Sequence, residues 1–348
     1  MSGAGIQKKK PRKLKRRFVK SVAQHHNKMN QLSKIIAQIN KKYGEGTIYK
    51  ASELTPPKLY PSGSPMIDYA IGGGWPSGRV IELFGAPGTG KTVLSLLAIA
   101  NVQKIEKDPK CLFIDAEGTF DIEFAAKLGV DIDNLAVVKM SEAEKVFDLI
   151  KETVKTEKPH IIVIDSLAAL MPLEDVEKTQ EVSVMATRAR ALTRGLGVTN
   201  AVNTDTIILC TNQIRANLSK YGAPTDSTGG FATKHYTSLR VRVAPGDLLL
   251  NEKKREVGKQ IKFKVVKSKT SQPNIVGVVD FYYNGTIDPA NELFQLGIIL
   301  EIIERKGSFY KLFGKTYQGQ ANLVQAIRDD SELFKKLYEE IVEEKREG

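Results

Sequence analysis

Residues 85–92 read Gly85-Ala86-Pro87-Gly88-Thr89-Gly90-Lys91-Thr92 and decide how the rest of the chain is interpreted. They fit the pattern G-x-x-x-x-G-K-[ST], in which backbone N–H groups bind the phosphates of a nucleotide. An apolar run at 79–84 predicts a buried strand before the loop, and another at 93–100 predicts a helix after it. These flanks favour a phosphate-binding loop at a helix N-terminus over an ordinary glycine-rich turn.

The end of this loop and one distant aspartate form a predicted site for phosphate and metal. Lys91 is expected to reach the β- and γ-phosphates, and the Thr92 hydroxyl is expected to ligate Mg²⁺. Asp165 follows the apolar run Ile161–Ile164. In ATPases with a phosphate loop of this pattern, an aspartate at the end of such a strand helps to hold Mg²⁺. An aspartate there can also cap a helix, so its assignment depends on the loop upstream. The cofactors are therefore predicted to be ATP and Mg²⁺, with Asp165 holding the ion through water.

Two polar residues that follow strand-like runs are candidates for the hydrolytic step. Glu117 comes directly after Phe113-Ile114-Asp115-Ala116, and a carboxylate there can polarise the water that attacks the γ-phosphate. Asp115 is the competing base, and a structural cap is the other alternative; the position favours Glu117. Gln213 lies where a strand opens into the long loop 214–230, so its amide could contact the γ-phosphate and also move that loop.

Strand-like and helical patterns alternate through the middle of the chain. The strand-like runs are Val80–Phe84, Cys111–Ile114, Leu135–Val138, Ile161–Ile164 and Ile207–Cys210. Helical patterns lie near 92–107, 121–128, 142–156 and 185–202. This alternation predicts an α/β fold with a mostly parallel central sheet covered on both faces. After Ser238 we expect strands at 239–243, 261–266 and 276–283, with a charged connector at 246–258.

The chain is predicted to have four parts. They are a basic extension at 1–28, an oligomerisation segment at 29–55, an ATPase core at 56–288 and a small α+β domain at 289–348. Leu32, Ile35, Ile36 and Ile39 recur at the spacing of an amphipathic helix within 29–43. The residues alone leave open whether its apolar stripe folds back on the core or docks on a neighbouring subunit.

The charge of the chain is concentrated near its start. Nine Lys and Arg residues and no acid lie within residues 1–20, whereas the whole chain of 348 residues has a net charge of +12. A basic arm of this kind fits nucleic acid. A solvated tail or a targeting address fits the same composition, and both interpretations stay open.

The cysteines and the hydropathy pattern exclude two protein classes. Cys111 and Cys210 both lie in apolar strand-like runs, which predicts buried thiols in a reducing compartment rather than a disulfide framework. No apolar run approaches the about 18 residues that a membrane helix needs. We therefore expect a cytoplasmic protein without a membrane partner.

Several residues near the expected nucleotide face are suited to DNA. Two irregular stretches, 172–184 and 214–230, are longer than ordinary connections. Arginines flank both stretches, and Tyr221 offers an aromatic face for a base. Lys267 and Lys269 point the same way from one strand. They are either ordinary solvated lysines or cations aimed at a phosphate across a subunit interface.

The combination of motifs resembles the bacterial RecA recombinase family over about residues 29–345. Many ATPases share the phosphate loop and the strand ending in Asp165. Three other segments are more specific: Asn212-Gln213-Ile214-Arg215, Ser227-Thr228-Gly229-Gly230 and Lys264-Val265-Val266-Lys267-Ser268-Lys269. The chain also departs from the family pattern: Ala86-Pro87-Gly88-Thr89 replaces a Pro-Glu-Ser-Ser type sequence, the second DNA loop is about one residue short, and residues 1–28 have no usual counterpart.

The resemblance implies a role for individual residues. Glu117 would be the water-activating glutamate, and Gln213 the γ-phosphate sensor coupled to the second DNA loop. Lys267 and Lys269 would reach ATP held by the adjacent subunit. Contacts near the nucleotide base would come from Asp121, Phe124 and Tyr283. Contacts to DNA would come from Arg188, Arg194, Arg215, Tyr221, Thr228, Gly229 and Gly230.

The family resemblance also implies a function and an assembly. The expected activity is that of an ATP-dependent DNA recombinase, which forms helical filaments on single-stranded DNA and exchanges strands with a homologous duplex. The homo-oligomer would use helix 29–43 to pack on the next subunit. A ring-forming DNA motor of the same fold and a filament mediator that does not exchange strands are the alternatives. Since Ser331–Gly348 lacks the family's strongly acidic tail, duplex binding is expected to be easier.

Overall fold

The computed structural model describes residues 31–44, 46–174, 184–216, 225–227 and 231–347. It comprises two compact units, Met1–Pro56 and Pro57–Gly348. The division into four parts predicted from the sequence stays a prediction.

The described part of the first unit is a helix followed by a loop and a short 3-10 helix, Ala51–Glu53. Helix α1 covers residues 31–43, within the predicted 29–43. The Asn40 side chain accepts hydrogen bonds from the backbone N–H groups of Thr47 and Ile48, both at 3.1 Å, and thus ties the helix to the segment after it. Of the four residues of the apolar stripe on α1, Leu32 and Ile35 are 48% and 49% exposed, and Ile36 and Ile39 are partly buried.

A nine-stranded, mostly parallel sheet is the centre of the second unit. Its strands run in the order β11-β10-β9-β3-β7-β6-β4-β5, and β8 pairs with β7. The strands are β3 (Arg79–Gly85), β4 (Cys111–Asp115), β5 (Leu135–Lys139), β6 (Ile161–Asp165), β7 (Ile207–Ala216), β8 (Thr225–Ser227), β9 (Leu239–Leu250), β10 (Glu256–Ser268) and β11 (Val276–Tyr282). Only β8, β10 and β11 join the sheet by antiparallel pairing. The predicted α/β fold class is confirmed.

Helices cover both faces of this sheet. They are α2 (Pro65–Ile71), α3 (Lys91–Ile105), α4 (Ile122–Lys127), α5 (Ala143–Thr156), α6 (Val184–Val202) and α7 (Phe231–Tyr236). A short two-stranded sheet, β1 (Leu59–Tyr60) and β2 (Trp75–Pro76), flanks α2. Side chains of the central strands alternate between two hydrophobic clusters, one under α3 and one under α5 and α6. Every central strand is therefore buried on both sides, as the apolar runs predict.

The last elements of the chain include two helices that pack on α2. These last elements are α8 (Pro289–Ile299), the antiparallel strands β12 (Glu304–Lys306), β13 (Phe309–Leu312) and β14 (Lys315–Gln318), and the helices α9 (Gln320–Asp329) and α10 (Ser331–Glu347). The Tyr338 hydroxyl of α10 donates to Asp68 of α2 at 2.9 Å. The Ser64 hydroxyl, at the start of α2, donates to Glu292 of α8 at 2.6 Å. These contacts join α8 and α10 to the ATPase core.

Two sequence-based expectations about strand limits are wrong. The predicted connector at 246–258 belongs largely to a hairpin, because β9 continues to Leu250 and β10 begins at Glu256. Likewise β7 does not end before Gln213 but continues to Ala216, where it pairs with β8. These regions are rich in polar and charged residues, so the sequence pattern does not predict their strands, because periodic apolar residues are the main signal of a strand.

Cys111 and Cys210 are buried free thiols, and burial raises the pKa of both. They belong to different hydrophobic clusters, on opposite faces of the sheet. Within the described residues no group of three or more His, Cys, Asp and Glu side chains is placed to hold a metal ion. None of the described helices combines the length and the apolar composition that a bilayer crossing needs.

Candidate functional site

The phosphate loop lies between β3 and α3 and is packed closely against β9 and β10. Gly90 has a φ of +99°, in the region that favours glycine. A Cβ at Gly90 would lie 2.5 Å from Ile261 Cδ1, and one at Gly85 would lie 2.0 Å from the Val243 carbonyl oxygen. Glycine is therefore required at both positions by the neighbouring strands.

The Lys91 ammonium lies inside the loop. It donates to the carbonyl oxygens of Gly85 at 3.2 Å and Ala86 at 2.7 Å. Burial lowers the pKa of Lys91, while the charges of Asp165 and Glu117 act in the opposite direction. Phosphate oxygens are charged and accept stronger hydrogen bonds than carbonyls. A nucleotide phosphate thus competes well for this ammonium.

Asp165 is held by two hydroxyl groups at the end of β6. Its Oδ2 accepts from Thr92 at 2.7 Å, and its Oδ1 accepts from Thr211 at 2.5 Å. Burial raises the pKa of Asp165 and outweighs these hydrogen bonds, while Glu117 raises it further and Lys91 lowers it. A divalent cation would favour the ionised carboxylate. The hydroxyl and carboxylate oxygens are also hard ligands of the kind that Mg²⁺ prefers, together with phosphate and water. These residues fit Mg²⁺.

Glu117 and Gln213 come together beside Asp165. The Gln213 side-chain amide donates to Glu117 Oε1 at 3.3 Å, and the Ser166 hydroxyl donates to the same oxygen at 2.6 Å. The sheet order brings this about, because the parallel strands β4, β6 and β7 are adjacent and end at the same edge. The exposed Glu117 carboxylate therefore faces the phosphate loop side of the sheet with one oxygen bonded to two donors.

Asp115, the competing base, has a structural environment. It is 3% exposed, and its two oxygens accept the backbone N–H groups of Thr119 and Phe120, each at 3.0 Å. Both oxygens of Asp115 are thus engaged in holding the turn after β4. Glu117, by contrast, is exposed at the same edge. The geometry favours Glu117 as the candidate base.

Comparison with known proteins identifies the family. A model of the RecA N-terminal domain matches residues 30–288. Protein RecA of Mesomycoplasma hyopneumoniae (strain 7448) is 34% identical over 329 residues, covering 92% of this chain and 97% of the relative. Protein RecA of Rickettsia bellii (strain OSU 85-389) is 35% identical over 326 residues, covering 92% and 94%. That of Petrotoga mobilis is 32% identical over 330 residues, covering 91% and 89%.

The chain belongs to the RecA family. It is therefore a DNA-dependent ATPase and a recombinase that forms filaments on DNA and exchanges strands. This membership confirms the resemblance found in the sequence and the expected partners, single- and double-stranded DNA and further copies of the chain. The individual residue roles inferred from the RecA pattern stay predictions, and the structure describes the surroundings of some of these residues.

The three residues expected near the base in a RecA protein lie on neighbouring segments. The Asp121 side chain caps α4 by accepting the Phe124 N–H at 3.0 Å. The Phe124 ring meets the Phe281 ring edge-on, with centroids 6.5 Å apart. Tyr283, two residues after Phe281, is 48% exposed and donates its hydroxyl to Glu256. About half of the Tyr283 side chain is thus open to solvent.

Lys267 and Lys269 are the lysines expected at the subunit interface; Lys267 is near the end of β10, and Lys269 follows the last residue of that strand, Ser268. The Lys267 ammonium donates to the carbonyl oxygens of Lys234 at 2.6 Å and Thr237 at 2.7 Å, around the end of α7. Burial lowers the pKa of Lys267, and the nearby charges of Lys269 and Arg240 lower it further. Lys269 is exposed. The described hydrogen bonds of Lys267 are thus to α7 and not to the phosphate loop of the same chain.

The residues expected to contact DNA are only partly described. On α6, Arg188 is partly buried and donates to the Ala168 carbonyl at 3.3 Å, whereas Arg194 is exposed. Arg188 therefore also anchors α6 to the turn after β6. The Arg215 backbone pairs with Asp226 across β7 and β8, but its side chain is outside the described residues. The same is true of Tyr221, Thr228, Gly229 and Gly230.

The sequence analysis did not predict the buried ion pair between Glu82 and Arg240, which lies next to Gln213. Glu82 of β3 is fully buried and binds Arg240 Nε at 2.5 Å and the Asn212 amide at 2.7 Å. The Arg240 guanidinium also lies over the Phe84 ring, 4.6 Å from its centroid. Three adjacent strands are joined in this way directly behind the phosphate loop. The one available signal is a single acid in the otherwise apolar stretch before the loop, because a buried charge needs a partner.

Proposed function

We propose that this recombinase couples ATP hydrolysis to its hold on DNA through the contact between Glu117 and Gln213. The observation that carries the proposal is the hydrogen bond from the Gln213 amide to Glu117 Oε1, at 3.3 Å. Gln213 lies on β7, whose last residue, Ala216, leads toward the second DNA loop. One side chain thus contacts the candidate base and belongs to the strand that enters a DNA-binding segment.

Glu117 is the general base in this proposal. Both hydrogen bonds described for its carboxylate, from Ser166 and Gln213, go to Oε1. Oε2 is then the oxygen that accepts the proton of the attacking water. Lys91 leaves the carbonyls of its own loop to bind the β- and γ-phosphates, where it neutralises charge that develops during transfer. Mg²⁺, when bound by Thr92 and by Asp165 through water, adds positive charge at the same phosphates.

Gln213 transmits the state of the nucleotide. Its amide donates either to Glu117 or to a γ-phosphate, and the choice alters the position of β7 and of the segment that follows it. With ATP bound, the DNA loop is held in its gripping arrangement; after hydrolysis the amide returns to Glu117 and the grip weakens. Lys267 and Lys269 complete the site from the adjacent subunit, so ATP also stiffens the filament. A cytoplasmic location, where ATP and DNA are both present, belongs to the same proposal.

The first prediction concerns Glu117→Gln. Removing the proton acceptor while keeping the hydrogen-bonding shape should lower DNA-stimulated ATP turnover by about 10²–10⁴-fold, with ATP still bound. Because hydrolysis releases DNA, the variant should also stay longer on single-stranded DNA in ATP. Turnover is measured by phosphate release, and DNA residence by fluorescence anisotropy of a labelled oligonucleotide.

Two variants serve as references for this experiment. Glu123→Gln, an exposed acid in the first turn of α4, should behave like the unaltered protein. Lys91→Ala should lose nucleotide binding itself. Wild-type turnover in Glu117→Gln would remove Glu117 from the role of base, and an unchanged DNA residence time would break the proposed coupling.

A further inference from the structure

A lysine of β10 contacts the outer side of the phosphate loop. The Lys259 ammonium donates to the Gly88 carbonyl oxygen at 2.7 Å. Gly88 is at the exposed tip of the loop, with a φ of +72°. Lys259 comes from the strand that starts beside Tyr283, since the Tyr283 N–H donates to the Val257 carbonyl at 2.9 Å. A cation from a distant part of the sequence is thus fixed on the candidate nucleotide loop.

The strand β10 supports the loop at two points. Ile261, two residues after Lys259, fills the space beside Gly90, where an added Cβ would lie 2.5 Å from its Cδ1. The loop also has an internal bond, from the Thr89 hydroxyl to the Ala86 carbonyl at 2.9 Å. Between these contacts, Lys259 holds the tip, where two glycines would otherwise give the backbone much conformational freedom.

The position of the ammonium has an electrostatic consequence. The Gly88 carbonyl and the Thr89 N–H are the two ends of one peptide group. A positive charge at the carbonyl end polarises this group and makes its N–H a stronger donor, as in any hydrogen-bonded chain. In a phosphate loop of this pattern the N–H groups after the first glycine turn toward phosphate oxygens.

We infer that Lys259 is a nucleotide-positioning residue: bound to the Gly88 carbonyl, it fixes the tip of the phosphate loop and strengthens the hold of the Gly88–Thr89 peptide on the nucleotide's phosphates. The residue acts through the backbone and takes no part in the hydrolytic step. It should therefore affect the affinity for ATP and for ADP together, and the turnover at saturating ATP only slightly. This role rests on residues 85–92 being the nucleotide site.

The test compares Lys259→Gln, which keeps a donor without the charge, with Lys259→Arg, which keeps the charge. Lys262→Gln is the matched control, because Lys262 is on the same strand and pairs instead with Asp247 at 3.2 Å. Dissociation constants for ATP and ADP are measured by calorimetry in the full chain, and KM and kcat by DNA-stimulated phosphate release. The thermal midpoint without nucleotide reports whether each variant folds.

Lys259→Gln is expected to raise both dissociation constants and the KM by about tenfold, the effect of losing one charged hydrogen bond, with kcat within about twofold. Lys259→Arg should keep both constants within about threefold, and Lys262→Gln should change neither. Unchanged nucleotide affinity in Lys259→Gln, or an equal loss in Lys259→Arg, would overturn the inference. If Lys91→Ala still binds ATP, residues 85–92 are not the nucleotide site, and the assumption on which this inference rests is wrong.

Discussion

Glu292 is a carboxylic acid in an environment that does not suit its charge. It is 4% exposed, and its Oε2 accepts from the Ser64 hydroxyl at 2.6 Å and the Met66 N–H at 3.0 Å. Its Oε1 has no hydrogen-bond partner among the described residues. Burial raises the pKa of Glu292 to about 8, and the negative charges of Asp68 and Asp280 add to the shift. The contact between α8 and α2 is therefore made by a neutral acid near pH 7.

This setting predicts how stability depends on pH. The pKa of Glu292 is higher in the folded state, about 8, than its ordinary value of 4.5. The stability that the neutral form contributes is thus fully present below pH 4.5 and is lost as the pH rises through 8. One such group changes the free energy of unfolding by up to about 1.4 kcal/mol per pH unit. Glu292→Gln should flatten the fall of the thermal midpoint between pH 4.5 and pH 8, the interval between the two pKa values.

The control for this measurement is an exposed acid on α10. Glu340→Gln should leave the profile parallel to that of the unaltered chain, because Glu340 is in solvent. Equal slopes in all three proteins would show that Glu292 does not titrate in this range. Calorimetric midpoints at four pH values, with nucleotide absent, are sufficient.

Residues whose position depends on local sequence were predictable, and those whose contacts depend on strand register were not. Asp165 and Glu117 follow apolar runs, so their place at the edge of the sheet follows from the pattern. Glu82 and Arg240 are far apart in sequence, and they meet only because β3 and β9 pair in one register. The contact between Lys259 and Gly88 has the same origin, since it needs the whole hairpin to be in place.

At the level of elements, α7 is held at its C-terminal end by a side chain from β10. Lys267 donates to backbone carbonyls around the end of this helix, where a positive charge is favourable. Helix α7 begins at Phe231, directly after the segment that the RecA pattern assigns to DNA contact. If Lys267 also binds the ATP of an adjacent subunit, it must leave α7 to do so. The contact with α7 and the contact with the adjacent subunit would then compete for one ammonium.

The element-scale prediction is a complementation experiment. The double variant Lys267→Ala, Lys269→Ala should lose most DNA-stimulated ATP turnover, although its own phosphate loop is intact. Mixed with Lys91→Ala subunits, it should recover part of the activity, because some interfaces pair an intact loop with intact lysines. Turnover of the mixture is compared with the sum of the separate proteins.

Lys264→Ala provides the control, since Lys264 is exposed on the same strand. It should retain its activity alone. A mixture no more active than the sum of its parts would place Lys267 and Lys269 outside the interfacial site.

For the whole molecule, the distribution of charge is the feature with the clearest consequence. Of the net charge of +12, residues 1–20 supply nine positive charges and no negative ones. These residues lie outside those that the structure describes. Charge of this density binds phosphates without regard to sequence and releases counterions. A basic arm would add duplex affinity to that of the filament core.

Removal of residues 1–20 should weaken binding to duplex DNA and reduce its dependence on salt. Each lost phosphate contact lowers the slope of log K against log salt by about 0.9. The measurement is a titration of labelled duplex at several salt concentrations. A variant of full length with neutral residues at the nine basic positions separates charge from chain length. An unchanged slope in both would leave the segment without a role in duplex binding.

The strand β10 finally bears on the mechanics of the filament. Lys259 and Lys267 are both on this strand, about 26 Å apart at about 3.3 Å per residue. On the proposed roles, one of them touches its own subunit's ATP site and the other the ATP site of the adjacent subunit. Because β10 is hydrogen-bonded on both sides, it resists stretching. Each subunit would then act as a tie rod of fixed length between consecutive ATP molecules, so that tension applied to the DNA is borne by the sheets rather than by the subunit contacts alone.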